Sequence, residues 1–194
     1  DTVVIPRPWI KSNPRYNPDG SKIVFACYYG DSGGLYMVNP DGTDLHYISR
    51  EIWKADWSPG GDELVCMVYP FQPTPLVIAD TGGTILTELA LPLTYSAAPI
   101  FSVPSFSPDG GKILFEYRTD SLCENHDVFL INRDGSGLQR LTDDGGVYPV
   151  WSPDGSRIAY VKYDHWGSEE AGDGQLWMMN ADGTGKKQLT FVRK

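Results

Sequence analysis

Two series of tight-turn sequences alternate along this chain, and their spacing restricts the fold more than any other feature. The first is YNPDG (Tyr16 to Gly20), WSPGG (Trp57 to Gly61), FSPDG (Phe106 to Gly110) and WSPDG (Trp151 to Gly155), recurring 41, 49 and 45 residues apart. The second interleaves with it: NPDGT from Asn39, DTGGT from Asp80, NRDGS from Asn132 and NADGT from Asn180. In the first series Pro presets φ near −65°, Asp bonds nearby backbone, and Gly20, Gly61, Gly110 and Gly155 accept a positive φ. The second offers Asn or Asp before Gly for the same reason. Both predict hairpin connections.

Between the turns lie apolar runs too short for stable helices. KIVFACY, ELVCMVY, KILFEY and RIAYVKY follow the first turns, and GLYMVN, PLVIAD, DVFLIN and QLWMMN precede the second. These are strands. With the segment before each first turn and after each second, each unit holds four strands, giving sixteen in four sheets. The 194 residues divide into four lengths of about 48, near the ~40–50 residues of a propeller blade. A lone four-stranded sheet cannot cover both its faces, and radial stacking solves that problem. The expected fold is all-β: a four-bladed β-propeller, each blade a four-stranded antiparallel sheet. One domain spans 1–194, with blades at about 9–50, 51–93, 94–143 and 144–194 and an extended arm at 1–8. Tyr16, Trp57, Phe106 and Trp151 are expected to pack between blades as core, joined by Tyr36, Val77, Phe129 and Trp177 from the third strands.

The order aromatic-SPDG-(Lys/Arg)-Ile-apolar, then Leu-aromatic-apolar-apolar-Asn-x-Asp-Gly, then Leu-Thr resembles the TolB-like, WD-like propeller repeat. The resemblance runs from about Pro14 to Thr190 and is closest in the last unit, WSPDGSRIAYVKY through QLWMMNADGTGKKQLT. The second unit departs, with Gly60 in place of Asp and Pro75 within a strand. The resemblance implies a fold, and it spans functions from protein-binding platforms to accessory domains of peptidases and lyases. Such propellers usually carry six or more blades. Four units close alone, are completed by another subunit, or belong to something larger; closure of the four is expected, since it needs no partner to cover its ends.

Sixteen basic against 25 acidic residues give a net charge of −9, which repels phosphate backbones and anionic headgroups, so nucleic acid is not an expected partner. No apolar run approaches the ~18 residues of a membrane span, and no membrane insertion is expected. The chain starts at Asp1, as after removal of an export signal or after trimming, and the expectation is an extracellular or periplasmic location. Cys27, Cys66 and Cys123 fit neither a disulfide framework nor a zinc motif.

The tight turns share one end of the sheets, so the longer connections share the other, where variable and functional surface belongs. That end holds Tyr29, Trp53, Phe71, Tyr95, Phe101, Tyr148, Tyr163 and Trp166, and of these Trp53, Phe71, Tyr95, Tyr148, Tyr163 and Trp166 are candidate contact residues. Its acidic groups, from Asp120 to Asp173, read as a solvated face, since no loop supplies the ligand pattern of an EF-hand. His46, His126 and His165 are scattered, and Cys123 beside His126 in CENHD lacks an oriented partner or an oxyanion site. There is no H-E-x-x-H and no phosphate-binding glycine loop. No catalytic residue, metal or cofactor is expected. Thr2, Val3, Val4 and Ile5 form a β-branched run before Pro6-Arg7-Pro8, able to extend a sheet edge of its own chain or of a neighbour. The expected function is therefore that of a noncatalytic structural or interaction protein whose partner is itself, as a homo-oligomer or filament. The alternatives are a periplasmic protein-binding module of the TolB type, with another envelope protein as partner, and a metal-dependent lyase or peptidase-associated propeller.

Overall fold

The computed structural model describes residues 10–29, 32–68, 76–91, 103–118, 126–163 and 174–191. Their regular structure is all β, in four four-stranded sheets. Sheet 1 holds β1 (Ile10–Tyr16), β2 (Ile23–Tyr29), β3 (Ser32–Val38) and β4 (His46–Ser49). Sheet 2 holds β5 (Ile52–Trp57), β6 (Glu63–Val68), β7 (Leu76–Asp80) and β8 (Ile85–Leu89). Sheet 3 holds β9 (Ser105–Phe106), β10 (Lys112–Arg118), β11 (His126–Asn132) and β12 (Gln139–Arg140). Sheet 4 holds β13 (Val147–Trp151), β14 (Arg157–Lys162), β15 (Gln175–Asn180) and β16 (Lys187–Gln188). In each, neighbours in sequence are neighbours in the sheet. The chain divides into two compact units, one of Asp1–Leu91 with Val103–Phe106, the other of Pro92–Ser102 with Ser107–Lys194.

The turn chemistry is local and repeated. In the third first-series turn the Gly110 amide donates to the Ser107 carbonyl at 2.8 Å, and the Ser107 amide to the Lys112 carbonyl at 2.8 Å. The Ser107 hydroxyl accepts from the Lys112 amide at 2.9 Å and donates to Asp109 at 2.5 Å. Ser152 does the same for Arg157 and Asp154. Gly20, Gly61, Gly110 and Gly155 all lie at φ between 70° and 76°, the left-handed region that glycine enters without a Cβ penalty. In the second series the Thr43 amide and hydroxyl both donate to Asp41, and Ser136 and Thr184 repeat this on Asp134 and Asp182.

Alternation along the strands then builds each core. Val24, Leu35 and Met37 of sheet 1 pack against Trp57, Leu64, Cys66 and Val77 of sheet 2. In the second unit Leu114, Val128, Leu130 and Leu141 of sheet 3 pack against Ile158, Tyr160 and Met179 of sheet 4, with Trp151 and Trp177 closing over them. Trp57 and Phe106 are each 6% exposed, and the Trp57 Nε1–H donates to the Arg15 carbonyl at 3.1 Å. Tyr16 departs from its expected place in the core: it is 61% exposed. Its pairing with Ile23 puts it on the face of sheet 1 turned away from sheet 2, where no described sheet of its unit covers it.

Candidate functional site

The long-connection end of the second unit concentrates the polar side chains that strand patterning does not demand. Glu116 and Asp127 are fully buried, His126 is 3% and Arg118 is 7% exposed. Pairing of Arg118 with His126 and of Glu116 with Val128 places Glu116, Arg118 and His126 on the face of sheet 3 that turns toward sheet 4. His126 Nδ1 stands 3.9 Å from Glu116 Oε1. The other carboxylate oxygen accepts the Tyr148 amide at 2.7 Å. Tyr148 is half exposed at φ +53°, a conformation costly for a bulky residue, and this charge-assisted bond holds it there. Its hydroxyl pKa is raised, first by burial and then by the Glu116 carboxylate and Tyr163.

Asp127 works on the opposite face. Its carboxylate accepts from Arg140 at 2.6 Å, from the Thr142 hydroxyl at 3.0 Å and from the Gly145 amide at 3.2 Å. The Thr142 hydroxyl in turn accepts the Val128 amide at 2.9 Å. Thr190 repeats the device in sheet 4, accepting the Leu176 amide and donating to Gln175. The Leu-Thr of the repeat is thus a latch between a fourth strand and the start of the third. It fixes the connection that carries Tyr148. Glu116 and His126 lie buried beneath the connection that carries half-exposed Tyr148. Among the described residues no group of three or more His, Cys, Asp or Glu stands ready to hold a metal.

In the first unit Trp53 stacks on Tyr28 with ring centroids 5.6 Å apart, so it packs within its own surface while remaining partly accessible. Thr2, Val3, Val4, Ile5, Phe71, Tyr95 and Trp166 lie outside the described residues. At the tight-turn end of the second unit, a cleft of about 310 Å³ is lined by Lys112, Leu130, Gln139, Trp151 and Asp154 among others. The Asp109, Asp154 and Asp182 carboxylates beside it are committed to turn hydrogen bonds.

Sequence reasoning missed exposed apolar residues in each unit: Val150 (57%), Leu176 (39%) and Leu189 (41%) on or beside sheet 4 of the second, and Tyr16 and Tyr47 (43%) on sheet 1 of the first. The sheet 1 residues form an aromatic ladder: Phe25 stacks on Tyr36 at 5.8 Å, and Tyr36 meets Tyr47 edge-on at 5.3 Å.

Four antiparallel four-stranded sheets with tight turns at alternate connections are the blades of a β-propeller. No protein-family model matches the chain. In structure it is similar to a TolB-assigned protein from Agrobacterium tumefaciens, at TM-score 0.67 and 18% identity over 93% of this chain and 80% of that one. It is also similar to TolB from Acinetobacter baumannii, at TM-score 0.65 and 21% identity over 88% of this chain and 40% of that one. These likenesses establish the fold as a TolB-like propeller of four blades. In sequence, 93 residues are 35% identical to dipeptidyl-peptidase 5 of Porphyromonas endodontalis, which is 45% of this chain and only 13% of that enzyme.

Proposed function

We propose that this chain is a noncatalytic interaction protein of the cell envelope or exterior that associates with copies of itself through its edges. One observation carries the reading: Tyr16 is 61% exposed at the repeat position where Trp57 and Phe106 are 6% exposed. A position built to be covered stands open, and apolar surface of that kind is what association removes from water. The N-terminal arm, with its β-branched run and Pro-Arg-Pro, adds a second means of reaching a neighbour. Light scattering of the full chain over a range of concentrations tests the reading. Particles heavier than the 21.5 kDa chain are expected. A strictly monomeric protein sinks it, and deletion of residues 1–8 reports the share owed to the arm.

The half-exposed Tyr148, braced on Glu116, supports a second reading: a module that binds another envelope protein through the long-connection end. Purified alone it would then be monomeric and would capture a different chain at fixed stoichiometry. The match to 93 residues of a dipeptidyl-peptidase supports a third, the propeller of a peptidase, testable by hydrolysis of dipeptidyl chromogenic substrates.

A further inference from the structure

The cleft at the tight-turn end of the second unit carries charges that the repeat does not demand. Sheets 3 and 4 are bridged there twice. Pro108 lies over Gly155, where an added Cβ would stand 3.4 Å from it, and the Gln139 side-chain amide donates to the Asp182 carbonyl at 3.1 Å. All four residues line the cleft, whose volume of about 310 Å³ is at the small end of the ~300–1,000 Å³ of ligand sites. Buried Leu130 and the half-buried ring of Trp151 give it apolar surface. Its polar lining is exposed: Lys112 and Asp109 from sheet 3 and its turn, Asp154 and Asp182 from the turns of sheet 4.

The first unit shows what the repeat itself requires. Counting from the turn glycines, Asp154 and Asp182 stand where sheet 2 has Gly60 and Gly82. Lys112 stands at the position of Lys22, whose ammonium holds the Asp44 carboxylate at 2.7 Å. Gly137 occupies the place of Asp44 in sheet 3, and among the described residues Lys112 makes no ion pair. Strand register turns Lys112, with Leu114 and Leu130, to the face that meets sheet 4. Asp154 and Asp182 are ionised at neutral pH, because the hydroxyls of Ser152 and Thr184 lead the hydrogen bonds that hold both carboxyls below their ordinary range. Both Thr184 bonds fall on one oxygen of Asp182, and the other takes none among the described residues. The Trp151 Nε1–H is buried and meets no acceptor there, whereas that of Trp57 donates to the Arg15 carbonyl. The Trp151 ring is thus held by packing alone.

We infer that this cleft binds a small zwitterion of the amino-acid type, an α-amino acid with an apolar side chain. Its carboxylate meets the Lys112 ammonium, as the Asp44 carboxylate meets Lys22. Its ammonium meets Asp182 and Asp154 on the sheet 4 side, and its side chain lies on Trp151 and Leu130. A ligand with only a positive charge leaves Lys112 unmatched, and one with only a negative charge faces three carboxylates, Asp109 included. A ligand bearing both charges answers both walls. Binding here is independent of self-association, since every lining residue belongs to the second unit.

Isothermal titration calorimetry of the full chain tests this with three probes of similar size. L-phenylalanine carries both charges, phenethylamine only the ammonium and 3-phenylpropionate only the carboxylate. Phenylalanine is expected to bind once per chain with a Kd on the order of 0.1 mM, and each single-charge probe roughly tenfold more weakly or worse. Lys112→Met and Asp182→Asn are each expected to weaken phenylalanine by roughly tenfold or more, while Lys22→Met, the counterpart in sheet 1, leaves it unchanged. Lys112 and Asp182 are exposed, and matching circular dichroism melts verify that their variants fold. The Trp151 indole resonance, identified by its loss in Trp151→Phe, is expected to shift as phenylalanine is added. Neither heat nor an indole shift at about 10 mM phenylalanine, a hundredfold above the expected Kd, overturns the site. Phenethylamine or 3-phenylpropionate binding as tightly as phenylalanine overturns the zwitterion, and Lys22→Met weakening it as much as Lys112→Met overturns the placement in this cleft.

Discussion

Tyr16 and Trp57 occupy one repeat position in two environments, so truncating each to alanine separates what the repeat dictates from what stacking adds. Trp57 is 94% removed from water. An aromatic side chain burying ~200 Å² at ~25 cal/mol per Å² is worth about 5 kcal/mol, and core aromatic-to-Ala changes cost about 3–5 kcal/mol. Loss of the Nε1–H bond to the Arg15 carbonyl adds about 1 kcal/mol. At 61% exposure Tyr16 covers less than half its area, a ceiling of about 2 kcal/mol. The expected gap is about 3 kcal/mol, or roughly 6–12 °C in melting temperature for a chain of this size. Urea and thermal unfolding followed by fluorescence measure it, at a dilution where light scattering finds monomer only. Equal destabilisation by Trp57→Ala and Tyr16→Ala would refute the reasoning, because it would mean that the Tyr16 face is covered within a single chain. Above the assembly threshold, by contrast, Tyr16→Ala is expected to lower particle mass more than stability.

Thr142→Val removes the hydroxyl that joins the Val128 amide to buried Asp127, and is expected to cost about 2–3 kcal/mol in denaturant unfolding; Thr142→Ser retains most of it. The Asp154 carboxylate, held by Ser152 and Ser156, is lowered from 3.8 to about 2. A lowered folded value contributes stability that is present above about pH 4 and lost as pH falls toward 2, so Asp154→Asn is expected to flatten the melting profile in that window. The Cys66 thiol is fully buried and its pKa is raised by desolvation; mass spectrometry after iodoacetamide treatment is expected to find it unmodified until the protein unfolds.

What the sequence reveals depends on how far each interaction reaches. The turns were legible because their chemistry closes within a few residues: Ser107, Asp109 and Lys112 satisfy one another, and Gly110 supplies the positive φ. The strands were legible for a similar reason, since Leu114, Phe115, Val128 and Phe129 carry the apolar character that two buried faces require. The role of Glu116 was not legible, because its partner is the amide of Tyr148, 32 residues away. Nor was the exposure of Tyr16, whose local pattern matches that of Trp57; only the sheet stacked above tells them apart. Tyr148 offered one unread signal. Like Asn13 it lies three residues before the repeat aromatic and directly before a proline, and both take φ near 52–53° beside a break in strand register.

The self-contained turns also have a kinetic consequence. Closing a loop of a few residues takes well under a microsecond, and hairpins follow within ~1–10 μs. The Ser107 to Lys112 bonds and their counterparts can therefore form before any sheet has met its neighbour. Folding is expected to zip each pair of strands outward from its tight turn, to close the latches at Thr142 and Thr190 next, and to dock sheet on sheet last. Destabilising substitutions in the first-series turns should then slow folding, while those at the stacked aromatics mainly speed unfolding. A chain that finishes every blade before docking any presents the same sticky faces to its own next blade and to a neighbouring molecule, so protein concentration during folding decides which one it meets first.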